Sequence, residues 1–136
     1  MRQRFNILLA VPAAILVLSA ALFAHHGAAG QDMTKLTTLK GTVTDYQFIN
    51  PHVLLYVDVK DGSGKIEKWV AELNGPNELM RQHITKNTLK PGDEVTIIGN
   101  RSKNGSNFMR LHSFITPGGQ EIVLFRGGDF PSGSTK

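Results

Sequence analysis

The spacing of apolar positions changes along the chain, and each change marks an element. Residues 7–18 form an apolar run broken only by Pro12, with Arg2 and Arg4 before it and Ser19, Ala20, Ala21 and Ala24 closing it. Basic, then apolar, then small is the order of an export signal, so residues 1–24 are expected to be a cleaved signal peptide. The competing reading is an uncleaved membrane anchor, because residues 5–24 approach the roughly 20 apolar residues that a bilayer span needs. Pro12 and the small residues suit the signal peptide better. Residues 25–35 are Gly/Ala-rich and lack a period, which reads as a flexible arm.

From residue 36 the period is two. Leu39, Gly41 and Val43 alternate with Thr38, Thr42 and Thr44, and apolar character then slips phase to Tyr46 and Phe48. A slip inside one long strand predicts a bulge or sharp coil. Asn50-Pro51 marks a turn. Val53, Leu55, Val57 and Val59 predict a second strand, and the Asp61 to Gly64 stretch, DGSG, a hairpin turn. Residues 66–73 predict a third strand with Trp69, Ala71 and Leu73 on one face. The period then becomes helical. Gly75-Pro76-Asn77-Glu78 starts a helix, with Pro in the first turn and an acid at the positive end. Leu79, Met80, His83 and Ile84 follow at helical spacing. Pro91-Gly92 sets a tight turn. Val95, Ile97 and Gly99 predict a fourth strand, and Asn104-Gly105 a hairpin loop. Met109, Leu111, Ser113 and Ile115 predict a fifth, with Phe108 and Phe114 on its other face. Residues 122–125 form a short last strand, and the Gly/Ser-rich residues 126–136 a disordered tail.

Three strands, a helix, then two strands, with a coiled first strand, is the order of a five-stranded OB-type barrel. The expected fold over residues 36–125 is therefore all-β with one short helix. An open β-sandwich is the alternative. The helix between strands three and four favours the barrel.

Composition removes several functions. The chain has no cysteine, which excludes disulfides, thiolate metal sites and cysteine nucleophiles. Any metal site must use histidine, carboxylate or backbone ligands. The formal charge is +4, but loss of the signal peptide takes two arginines with it and leaves +2. The remaining basic residues are scattered, so there is no electrostatic case for nucleic acid. No Ser-His-Asp order, phosphate-binding glycine loop or metalloprotease helix is present, and the chain is read as a non-enzyme. Tyr46, Phe48, Tyr56, Trp69 and Phe108 can stack on ligands, but in a small barrel they are expected mainly to build its core and rim.

The residues also resemble a family. The matching pieces are AHHGAA at residues 24–29, GTV at 41–43, NPH at 50–52, VDVKDGSGK at 57–65, Trp69 with Glu72, and LKPGDEVTIIG at 89–99. Together they are similar to the small exported bacterial proteins grouped as domain of unknown function 6152, over nearly the whole chain after the signal peptide. The resemblance implies export to the periplasm or beyond and a small β-rich domain. It carries no activity, so no catalytic residue transfers.

Five histidines are left to weigh. Cleavage after Ala24 makes His25 the amino terminus. An α-amine with pKa near 7.7 and an imidazole near 6.5 both lose protons around neutral pH, and together they close a chelate ring. That nitrogen-rich set suits Cu(II), with His26 adding a third nitrogen. Cleavage one residue earlier puts His26 third, a spacing that surrounds copper with an amine, two amides and an imidazole. His52, in the turn between strands one and two, stands where OB-type barrels often line a ligand site. Metal-ligand candidates are therefore His25, His26 and His52. His83 is read as a cap near the helix end, and His112 as a surface or groove residue. The leading expectation is an exported metal-binding module; the alternative is a metal-free module that docks on another envelope protein.

Overall fold

The computed structural model describes residues 30–124. The expected signal peptide, His25, His26 and the tail at 126–136 lie outside the described residues. The elements are β1 (Thr37–Gln47), β2 (Leu54–Lys60), β3 (Ile66–Glu72), α1 (Pro76–Arg81), β4 (Glu94–Arg101), β5 (Phe108–Ile115) and β6 (Glu121–Val123).

One long strand makes the barrel possible. β1 pairs with β4 through residues 37–42 and with β2 through residues 41–47, both antiparallel. β2 continues antiparallel to β3, and β4 antiparallel to β5. β3 and β5 then pair in parallel, Val70 to Glu72 against Phe108 to Arg110, and close the circle. The result is the expected five-stranded, OB-type barrel, with β6 added to β5 outside the closure.

Two bulges bend the strands. In β1, Val43 faces Val57 but Asp45 faces Tyr56, so Thr44 is an extra residue; this is the phase slip visible in the sequence. In β5, Ser113 faces Ile98 but Leu111 faces Gly99, so His112 is extra. That bulge corrects the expected face of Phe114. An inserted residue reverses the alternation beyond it, and Phe114 joins Met109 and Leu111 in the core. His112 itself is exposed.

The core gathers Val43, Leu55, Val57, Trp69, Ile97 and their neighbours, and Leu79, Ile84 and Leu89 join it from α1 and the segment after it. α1 ends in a Schellman motif: the His83 N–H donates to Met80 O at 3.0 Å and the Ile84 N–H to Leu79 O at 3.0 Å. His83 takes the left-handed position, φ +60°, where glycine is usual. Its capping role is thus carried by backbone.

Tyr46 faces Leu55 from β1. Its hydroxyl is buried and finds no partner among the described residues. Burial pushes the phenol up to about 12 from its usual 10.0. The unfolded chain therefore ionises first as pH rises, and stability falls between these two values. We expect Tyr46→Phe to raise stability by about 1 kcal/mol, because an unsatisfied buried hydroxyl is removed. It should also remove this group's share of the alkaline loss. Urea denaturation at neutral and alkaline pH checks both; a destabilised Tyr46→Phe protein would contradict them.

Residues 30–35 fall within the segment that composition reads as an arm. They are hydrogen-bonded to the barrel. Gln31 bridges Ser102, the Asp32 N–H donates to Arg101 O at 2.8 Å, and the Lys103 N–H donates to Gly30 O at 2.9 Å. Asn100, 5% exposed, donates its amide to Asp32 O at 2.9 Å and to Lys35 O at 3.1 Å.

Candidate functional site

The turn that carries His52 is fixed from both sides. The Val53 N–H donates to Asn74 O at 3.1 Å and the Leu73 N–H to Val53 O at 2.8 Å. Pro51 O lies so close to Gly75 that an added Cβ there would be 2.8 Å away. His52 is thereby held over the end of β3.

There His52 Nδ1 stands 3.3 Å from Glu72 Oε1, and Arg110 Nη1 stands 3.9 Å from the same oxygen. Glu72 and Arg110 are register partners across the parallel β3–β5 seam. The three side chains are 36%, 22% and 22% exposed, so water reaches them but does not dominate. A carboxylate against Nδ1 favours the imidazole tautomer with its proton there, which leaves Nε2 as a lone-pair donor. His52 and Arg110 thus approach the same Glu72 oxygen, both at ion-pair distance. The guanidinium also adds a positive charge that disfavours a second cation on Glu72 itself.

Among the described residues no three His, Asp or Glu side chains gather into a metal cage. His52 offers one imidazole, and its expected companions His25 and His26 lie outside the described residues. The structure does not bring His83 or His112 to it. His83 lines a cleft with β6, and His112 lines a dent with Met33 and Leu124.

The aromatics separate into two groups. Trp69 is 2% exposed and donates Nε1–H to Glu67 Oε2 at 3.2 Å. Tyr46 and Phe48 pack on the core with ring centroids 6.1 Å apart. Tyr56 and Phe108 lie on the outer face, in register with Val70 between them, which for Phe108 is the expected face of β5. Leu54, Glu72 and Arg110 form the next row, beside His52. Sequence reasoning named His52 but missed Glu72 and Arg110. No local pattern announces which residues meet across a parallel seam.

Comparison with known proteins adds a family. The model of a family of unknown function, DUF6152, matches residues 13–110. No curated protein matches. Among solved structures, TiaS in complex with a tRNA and ATP is 24% identical, with 60% of this chain and 18% of that one covered and a TM-score of 0.45. A mutant of TiaS lacking its ZRD, in complex with agmatine, is 24% identical, with 70% and 23% covered and a TM-score of 0.44. The mitochondrial single-stranded DNA binding protein Rim1 of S. cerevisiae is 5% identical, with 60% and 92% covered and a TM-score of 0.47. The chain thus spans less than a quarter of the TiaS chains.

Proposed function

The chain belongs to the DUF6152 family, and we propose that it is an exported binding module that holds Cu(II) through His25 and His26, with His52 as a further ligand. The observation that carries this reading is the His52–Glu72 pair at 3.3 Å. A carboxylate behind Nδ1 with Nε2 left to bind is the outer-sphere arrangement that metal-ligating histidines use. A signal peptide cut after Ala24 supplies the free amine.

The test is Cu(II) titration of the secreted protein, read by electron paramagnetic resonance. We expect His25→Ala with His26→Ala to abolish the nitrogen-rich signal. His52→Ala and Glu72→Gln should each weaken binding about tenfold or more. Unchanged affinity in the double variant would end the copper reading, as would a signal peptide still attached in the exported protein.

One observation favours the metal-free alternative. The outer face of β2, β3 and β5 carries Leu54, Tyr56, Val70 and Phe108, all partly exposed. A face of this kind suits an envelope protein partner. Capture of one such partner that persists in chelator, and is lost in Tyr56→Ser, would replace copper by docking.

A further inference from the structure

The chain carries the dipeptide Asn-Gly twice, at residues 74–75 and 104–105. In such a pair the glycine nitrogen can attack the carboxamide of the asparagine before it, because no side chain on the glycine stands in the way. The attack is intramolecular and closes a succinimide ring. Its rate is therefore set by how freely the backbone brings nitrogen and carbonyl carbon together. The fold treats the two pairs in opposite ways.

Asn74-Gly75 is locked. Asn74 is 5% exposed, and its backbone carbonyl accepts the Val53 N–H at 3.1 Å. Gly75 is the N-cap of α1, and its carbonyl accepts the N–H groups of Glu78 and Leu79, both at 3.1 Å. Pro51 O presses on the same residue, 2.8 Å from where a Cβ would stand. Turning this backbone toward ring closure breaks the bond to Val53 and pulls on the start of α1.

Asn104-Gly105 is open. Residues 103–106 are all exposed. The Gly105 N–H reaches Ser102 O only at 3.4 Å, beyond the usual range of an N–H···O bond. A Cβ on Gly105 would meet nothing within 4 Å, so the peptide unit has room to turn. Asn104 Oδ1 accepts the Ser102 hydroxyl at 2.8 Å and the Ser106 N–H at 2.9 Å. Both bonds are exposed, and water replaces them at small net cost. The loop is held at its base, where the Ser102 N–H donates to Phe108 O and the Lys103 N–H to Gly30 O, both at 2.9 Å.

We propose that Asn104 is a site of spontaneous deamidation and that the fold shields Asn74 from the same reaction. Water or hydroxide takes the proton of the Gly105 N–H. The nitrogen lone pair forms a bond to Asn104 Cγ. The bond from Cγ to Nδ2 then breaks, and Nδ2 leaves as ammonia with a proton from water. Water opens the succinimide at either carbonyl. One opening leaves aspartate at position 104; the other leaves isoaspartate, whose peptide link runs through the side chain and adds a carbon to the loop backbone. The net change consumes water and releases ammonia, and nothing is oxidised or reduced. Either product places a carboxylate next to Lys103, and the protein loses a unit of positive charge. The proposal does not depend on copper.

The secreted protein is incubated in mildly alkaline buffer, folded and in concentrated guanidinium chloride, and sampled by tryptic peptide mapping. Fragment spectra of residues 69–81 and 104–110 locate the replacement of NH2 by OH, and chromatography separates aspartyl from isoaspartyl peptides. In denaturant the two pairs should convert at like rates. In the folded protein Asn104 should stay within about tenfold of its denatured rate, and Asn74, which reacts only when the chain opens, should lag Asn104 by more than about tenfold. Asn104→Gln, which must close a larger ring, should remove the acidic shift of the folded protein on isoelectric focusing. The proposal is overturned if folded Asn104 falls more than about tenfold below its denatured rate, or if Asn74 stays within about tenfold of Asn104. It is also overturned if the acidic shift persists in Asn104→Gln, or if aspartate forms at position 104 without isoaspartate, the sign of direct hydrolysis.

Discussion

Replacing Trp69 by alanine is expected to cost about 3–5 kcal/mol, the range for truncating a large buried aromatic. Trp69 faces Val57 across β2–β3 and is 2% exposed. Its removal leaves a void that the barrel cannot collapse into, since both neighbouring strands are held in closed ladders. Two further losses follow. Arg101 gives up the ring under its guanidinium, and Glu67 gives up the indole donor. Small domains hold only about 5–15 kcal/mol in all, so this single change brings the protein close to unfolding. Trp69→Phe keeps most of the buried surface and should cost clearly less. Far-ultraviolet circular dichroism against urea measures both without relying on tryptophan emission. A Trp69→Ala cost below about 1 kcal/mol would mean that the ring is not a core residue in solution.

The sequence made the barrel legible because alternation in β1 to β4 is clean and its one slip is unambiguous. Between Val43 and Tyr46 the apolar phase changes once, and the bulge lies there. β5 was harder. Leu111, Ser113 and Phe114 put small or apolar residues on both faces, so the pattern does not show that His112 is extra. The site was legible only as far as local chemistry goes. His52 stands out because a turn histidine has no packing reason to be there. Its partners come from β3 and β5, whose register is set by closure of the whole barrel. The contacts of residues 30–35 are hidden from the sequence for a similar reason. Their order comes from Asn100, a side chain 65 and 68 positions away in sequence from the carbonyls it holds, and composition carries no trace of it.

Gly41→Ala and Gly99→Ala are each expected to destabilise the protein by about 3 kcal/mol, the upper part of the usual overpacking range. Neither glycine has a left-handed φ; the argument is space. Gly41 is the register partner of both Val59 and Val95, at the point where β1 passes from one neighbour to the other. A Cβ there would stand 2.6 Å from Val57 Cγ1, and closer still to the Asp58 carbonyl oxygen. At Gly99 it would press on the Arg110 carbonyl, with the Arg110 carbon 3.0 Å away. These neighbours are mostly backbone in paired strands, so the ladder itself must move. Against that stands a gain of about 0.4–1 kcal/mol from the stiffer unfolded chain, too small to win. Gly62 supplies the control. A Cβ there meets nothing within 4 Å and φ is not left-handed, so Gly62→Ala should show the small gain alone. Opposite signs for Gly62 against Gly41 and Gly99, measured by urea denaturation, are the expected result; matching signs would reject the close-approach account. Gly99→Ala should reach further than stability. The backbone it displaces is that of Arg110, whose guanidinium stands 3.9 Å from the Glu72 oxygen that His52 also approaches.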